Sequence, residues 1–253
     1  MCTVVLLSRP RHAWPVLLAA NRDEMLARPW QAPGAHWPDR PGVTAGLDEL
    51  AGGSWLGINR EGVVAGILNR HGSLGPAEGR RSRGELVLEA LDHADAESAV
   101  AALAHLETRA YRTFNLIVAD NSRAFWLRNR GEEGPGRVEH FALPPGYSMI
   151  TAHDRNDLAS LRIRENLPRF EEAAVPDPER SDWSAWEALL ARRGDADEEN
   201  GQERAMCIVT QHGFGTSSSS LIALPSRERP GVRPRWLFAA GRPGESPYQP
   251  VPL

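Results

Sequence analysis

A chain of 253 residues, 41% of them apolar, can bury one large core or two modest ones, and its composition carries no signature of disorder. Its formal net charge of -4 gives no broad basic field, so neither a nucleic acid backbone nor an anionic membrane is an expected partner. Every basic side chain is Arg, with no Lys in the sequence, which removes lysine Schiff bases and P-loop chemistry.

The opening "MCTVVLLSRP" has a short apolar run, no basic residue ahead of it and no A-x-A cleavage pattern, so a secretory signal is not expected. "TVVLLS" and "PVLLAAN", separated by the turn-rich "RPRHAW", predict a buried hairpin, with the polar run "NRDE" directly behind it. Residues 31–53 are dense in Gly, Pro and Asp and read as mostly loop. Structure is expected again at "SWLGIN", which turns on "NREG" into "VVAGILN"; Gly62 can supply the positive φ that this tight turn requires.

Two helices follow. Ser82 and Glu85 in "SRGELVLEAL" have capping-box spacing, and Asp95 caps "DAESAVAALAHL". Strands are then expected at "FNLIVAD", "AFWLRN", "RVEHFAL" and "YSMITA". A second helix pair covers "LASLRIRENLPRF" and "SDWSAWEALLARR", the latter capped by Ser181. "GDADEENGQE" reads as an acidic surface loop, and "AMCIVT", "SSSLIAL" and "WLFAAG" as closing strands. Strands and helices in blocks, with hairpin turns between strands, argue for antiparallel sheets covered by helices. No linker separates two complete cores. No segment reaches the roughly 20 apolar residues of a membrane span.

Cys2 and Cys207 are too few and too far apart for a zinc site or a disulfide framework, which favours a reducing, cytoplasmic setting. Cys2 has a further property. Methionine aminopeptidase removes Met1 when the next residue is small, and a freed α-amine has a pKa of about 7.7–8.0, low enough to take the proton of its own thiol. One residue then carries both nucleophile and base. Taken alone, a cysteine here is better explained as a small apolar residue leading a strand.

"MCTVVLL", "LAANRDE" and "GGSWLGINREGVVAGILN" occur in order over the first seventy residues, and "GFGTSSSSLIALP" follows near the end. Together they resemble the NRDE family, also called the transport and Golgi organisation 2 family. That family is similar in turn to the N-terminal nucleophile hydrolases of the bile-salt hydrolase and penicillin V acylase branch. The resemblance implies an α+β fold over residues 1–253, a four-layer αββα sandwich of antiparallel sheets. It also implies hydrolysis of a C–N amide or related acyl bond of a small apolar metabolite. Carried over residue by residue, Cys2 matches the nucleophile, Asp23 the carboxylate that orients the α-amine, and Asn69 an oxyanion donor, with Arg22 beside the thiol. Asn21, Trp55, His71, His153 and Ser218 are the expected substrate-binding residues.

Three departures accompany the resemblance. The hydrolases space their Arg three residues before the Asp, whereas Arg22 and Asp23 are adjacent and point to opposite faces of an extended strand. "ITAHD" stands where relatives commonly read "LSN", bringing His153 or Asp154 near the place of an Asn, and Ser217 replaces the Arg of "GTRSS". The same resemblance implies an alternative use of the pocket, as a non-catalytic carrier of haem or an acyl-lipid metabolite. No cofactor is required by the hydrolytic reading. The eight histidines form no H-x-x-x-H pair, so metal ligation is not expected. Of the eight tryptophans, Trp14, Trp30, Trp37 and Trp55 fall around the first hairpins, as core anchors or as the wall of a pocket closed by residues 31–53. The sequence gives no indication of oligomeric state.

Overall fold

Alternating apolar residues build the first hairpin of the computed structural model, which describes residues 2–194 and 201–253. β1 (Thr3–Ser8) and β2 (Val16–Met25) pair antiparallel with Thr3 opposite Asn21. Val5, Leu7, Leu17 and Ala19 face one side of this pair, Val4, Leu6, Val16 and Leu18 the other. β2 runs straight through residues 21–24, so the polar tetrapeptide lies inside a strand, with Asn21, Arg22 and Asp23 buried.

Residues 31–53, expected to be mostly loop, contain most of β3 (Trp30–Gly34) and all of β4 (Val43–Asp48). β3 tolerates Pro33 because it is an edge strand whose register slips between Gln31 and Gly34, where no ladder bond is demanded of a proline. β5 (Leu56–Asn59) and β6 (Val64–Asn69) form the next hairpin, turning on Gly62 at φ 86°. α1 (Gly84–Leu91) and α2 (Ala96–Leu103) follow, then β7 (Phe114–Ala119), β8 (Ala124–Asn129), β9 (Glu139–Ala142) and β10 (Gly146–Ile150). α3 (Leu161–Glu172), α4 (Ser184–Leu190) and the short α5 (Gly201–Arg204) lead to β11 (Phe214–Leu224), β12 (Arg235–Ala239) and β13 (Tyr248–Pro250).

One sheet has the order β10-β1-β2-β11-β12-β13, the other β3-β4-β5-β6-β7-β8-β9, and neighbours in both are antiparallel. Leu6, Leu18, Ile58, Leu68, Ile117 and Ile222 fill the space between the sheets. α1 and α2 cover the outer face of the second sheet through Leu86, Leu91, Ala99 and Leu103. α3 and α4 cover the first through Ile163, Phe170, Trp186 and Leu190. The result is the four-layer αββα sandwich, and truncating one of these buried Leu or Ile side chains to Ala costs about 2–5 kcal/mol.

Local signals fared unevenly. Asp95 caps α2 by accepting the Ser98 N–H at 2.8 Å. The capping box at α1 does not form: Ser82 Oγ accepts from the Gly84 N–H, while Glu85 takes the Tyr111 hydroxyl at 2.5 Å and pairs with Arg81. At α4 the N-cap is Trp183, with no side-chain cap; Asp182 before it accepts the Ser184 N–H at 3.2 Å, and Ser181 closes the preceding turn in the left-handed region. Residues 205–210 are not a strand, because the Met206 and Cys207 N–H groups donate to Arg192 O instead of to a sheet neighbour. The expected acidic loop lies, over residues 195–200, outside the described residues.

Candidate active site around Cys2

The β1/β2 register sets Cys2 opposite Arg22, one step beyond the Thr3–Asn21 pair. Cys2 Sγ accepts the Asp23 N–H at 3.4 Å and donates to Asp23 O at 3.5 Å. The residue is partly exposed to the cavity it borders. Burial, and then the Asp23 carboxylate, push its pKa up, while Arg22 acts in the opposite direction.

Strand alternation divides the NRDE run between two faces. Arg22 shares the inter-sheet face with Cys2. Its guanidinium lies 4.4 Å from the Trp55 ring centroid and donates to Ser217 Oγ at 3.1 Å. Ser217 is the extra residue of a bulge in β11, where Thr216 pairs with Asp23 and Ser218 with Arg22. The bulge interrupts the alternation: Thr216 bonds Asp23 on one face, while Ser217, which bonds Arg22, and Ser218, which pairs with it, share the other. Gly46 makes room for Trp55, since a Cβ there would sit 2.3 Å from its ring.

Asp23 points to the helix face. One carboxylate oxygen accepts from Thr216 Oγ1 at 2.6 Å and the other from Arg162 Nη1 at 3.1 Å. Arg162, on the first turn of α3, also donates to Thr3 Oγ1 at 2.8 Å. Both ion-pair side chains are almost fully buried, at 0% and 5% exposure. Sequence reasoning missed Arg162. Its trace was there: Arg162 and Asn166 sit four apart beside Ile163 and Leu167, polar residues inside the apolar stripe of a helix.

Facing Cys2 across the cleft stand Trp55, Leu68 and Asn69 from the second sheet, around a cavity of about 250 Å³. Asn69 ends β6, and its carboxamide makes no hydrogen bond to another described residue. The lip over the cavity comes from the segment Leu74–Gly84, and residues 31–53 contribute only Asp48 and Ala51. Arg112 holds this lip by donating to the carbonyls of Gly72, Leu74, Gly75 and Pro76. Ser218 borders a recess of about 20 Å³ that it shares with Cys2 and Arg22.

Other expected contacts fall elsewhere. Asn21 turns its carboxamide to the helix layer, donating to Leu190 O and Met206 O at 2.9 Å each and accepting from Ser219 Oγ. His71 and His153 meet each other, with ring centroids 6.1 Å apart, but border no part of the Cys2 cavity. Asp154 of the altered "ITAHD" motif is held by Arg70 and Arg128. Asn115 binds the carbonyls of Thr151 and His153, tying that segment to the second sheet. Among the described residues no group of three or more His, Cys, Asp or Glu side chains is placed to hold a metal ion, and no helix is long and apolar enough to cross a membrane.

Two antiparallel sheets between helix layers, with Cys2 leading a central strand into the cleft, define the fold of the N-terminal nucleophile hydrolases. An N-acylethanolamine-hydrolyzing acid amidase orthologue from Caenorhabditis elegans superposes with a TM-score of 0.57 at 12% identity, over 87% of this chain and 92% of that one. A mutant conjugated bile acid hydrolase from Clostridium perfringens gives 0.51 at 11% identity, over 100% and 97%. The chain belongs to the Transport and Golgi organisation 2 family, whose model matches residues 1–229. The Transport and Golgi organization protein 2 homolog of Bos taurus is 37% identical over 171 residues, 60% of this chain and 57% of the relative. The match therefore spans little more than half of that relative's length.

Proposed function

We propose that the chain is an N-terminal cysteine hydrolase acting on a C–N amide or related acyl bond of a small metabolite with an apolar portion. The observation that carries this reading is the convergence of Cys2 Sγ, Arg22 and Asn69 on one cavity, with Trp55, Leu68 and Leu74 supplying apolar wall. In this reading Met1 is removed, and the α-amine of Cys2 takes the thiol proton. Sγ attacks the carbonyl carbon, and Asn69 donates to the oxyanion that forms. The proton passes to the leaving amine as the C–N bond breaks, and water then hydrolyses the thioester to a carboxylate. Arg22, held between Trp55 and Ser217, favours the thiolate. Asp23 has a positioning part: its backbone N–H and C=O hold the sulfur, and Arg162 and Thr216 hold its carboxylate.

The experiment is a set of N-acyl amides of increasing chain length, assayed for released amine with wild type and with Cys2→Ser, which has a closely similar shape. Amine release that depends on the sulfur supports the proposal. Equal rates in the two proteins would refute catalysis by the sulfur, and tight binding with no release would turn the reading toward the carrier.

A further inference from the structure

Within a chain of net charge -4, the wall of the Cys2 cavity is cationic. Arg22, Arg28, Arg80, Arg81, Arg83 and Arg112 line it, against the carboxylates Asp23, Glu24 and Asp48. Most of that negative charge is already engaged. Asp23 is turned to Arg162, Asp48 accepts two hydrogen bonds from Arg28, and Glu24 lies 4.0 Å from both Arg22 and Arg28. Arg81 pairs with Glu85 at 2.7 Å.

Arg80, Arg83 and Arg112 remain, all on or beneath the lip, and none has a carboxylate within ion-pair distance among the described residues. Arg83 donates only to neutral oxygens, Ser73 Oγ and Thr113 O, each at 2.9 Å. Arg112 donates only to backbone carbonyls. Burial, followed by repulsion from Arg112, lowers the pKa of Arg83 to about 10. Cys2 and Glu24 act on Arg83 in the opposite direction, and an anion held between the two guanidiniums would add to that effect. The start of α1 at Gly84 borders the same wall, and its dipole adds positive potential there.

We propose that Arg80, Arg83 and Arg112 form a binding site for an anionic oxygen-bearing group of the substrate, a carboxylate or a phosphate. The substrate would then lie with its anion at the lip and its acyl carbonyl toward Cys2. That orientation rests on the reading of Cys2 as the acyl acceptor; the anion site itself does not.

Binding is measured by calorimetry on the Cys2→Ala variant, so that turnover plays no part. N-octanoylglycine, its neutral amide N-octanoylglycinamide, and octyl phosphate are the probes. At low salt, at least one anionic probe is expected to bind about tenfold more tightly than the neutral one, equivalent to about 1.4 kcal/mol. This preference shrinks as salt is raised. Arg83→Gln should abolish it. Arg80→Gln, at an exposed side chain with no hydrogen bond to another described residue, should reduce it without disturbing folding. The ratio of octyl phosphate to N-octanoylglycine affinity identifies which anion fits. Equal affinities for charged and neutral probes, no binding of either anionic probe, or a preference unchanged by Arg80→Gln and Arg83→Gln would overturn the proposal. Acylation of Cys2 in wild type without any charge preference sinks this inference alone; a charge preference without acylation sinks the hydrolase reading alone.

Discussion

Asp23 carries its carboxylate away from the thiol that its own backbone holds, to Arg162 at 3.1 Å on the other face of the sheet. Arg162 in turn bonds Thr3, the residue after Cys2, so helix α3 is fastened to both strands that frame the sulfur. Breaking such a buried pair leaves one charge uncompensated, at about 3–5 kcal/mol. Arg162→Met should therefore lower the urea midpoint substantially, although it replaces no residue that lines the cavity. The double variant Asp23→Leu/Arg162→Met should recover part of the loss, and full additivity of the two single changes would refute the coupling.

Asn69 gives the opposite pattern. Its carboxamide makes no hydrogen bond to another described residue, so Asn69→Ala should change stability by less than about 0.5 kcal/mol. Loss of an oxyanion donor costs about 10²–10³ in rate. Steady-state hydrolysis beside a thermal melt separates the two effects, and an unchanged rate would remove Asn69 from the reaction.

Trp55 and Gly46 form a matched pair. A Cβ at Gly46 would meet the ring at 2.3 Å, so Gly46→Ala must displace Trp55 and with it the guanidinium of Arg22. Overpacking of this kind costs about 1–3 kcal/mol. The expected readings are a shift in tryptophan emission and slower alkylation of Cys2; normal alkylation with a shifted spectrum would show that Trp55 does not support Arg22.

The thiol sets a pH dependence. In a chain kept from losing Met1, as behind an N-terminal tag, burial and Asp23 raise the thiol's pKa, so alkylation by a small neutral electrophile should rise with pH and reach its midpoint above that of an ordinary thiol at about 8.5. Arg22→Gln should move the midpoint higher still, since Arg22 lowers this pKa. For stability the sign is the reverse of the usual carboxylate: the contribution from keeping Cys2 neutral is present below the unfolded value and is lost as pH rises through the folded one. An alkylation midpoint below 8.5 in a chain that retains Met1 would contradict this.

The layered fold was legible because its cues are local. Period-two strands, the Gly62 turn and the Asp95 cap all act within a few residues. The division of labour between Arg22 and Asp23 followed from alternation alone. What was hidden depends on contacts distant in sequence. Arg162 meets Asp23 across 139 residues, and Glu85 abandons its capping role for Tyr111, 26 residues on. β3 and β4 escaped notice because Pro and Gly usually end strands, and only pairing at a sheet edge shows where they need not. His71 and His153 were singled out by closeness to motifs, but β6 and β10 carry them past the end of the cleft.

The central claim is that Cys2 accepts an acyl group from the cleft. Intact-mass analysis before and after exposure to a thiol-reactive acyl probe tests it most directly, on wild type, Cys2→Ala and Cys207→Ala. The account predicts a native mass lacking Met1 and a single acyl addition in wild type and Cys207→Ala, with none in Cys2→Ala. A native mass that retains Met1 in full, or wild-type protein left unmodified at Cys2, would contradict it.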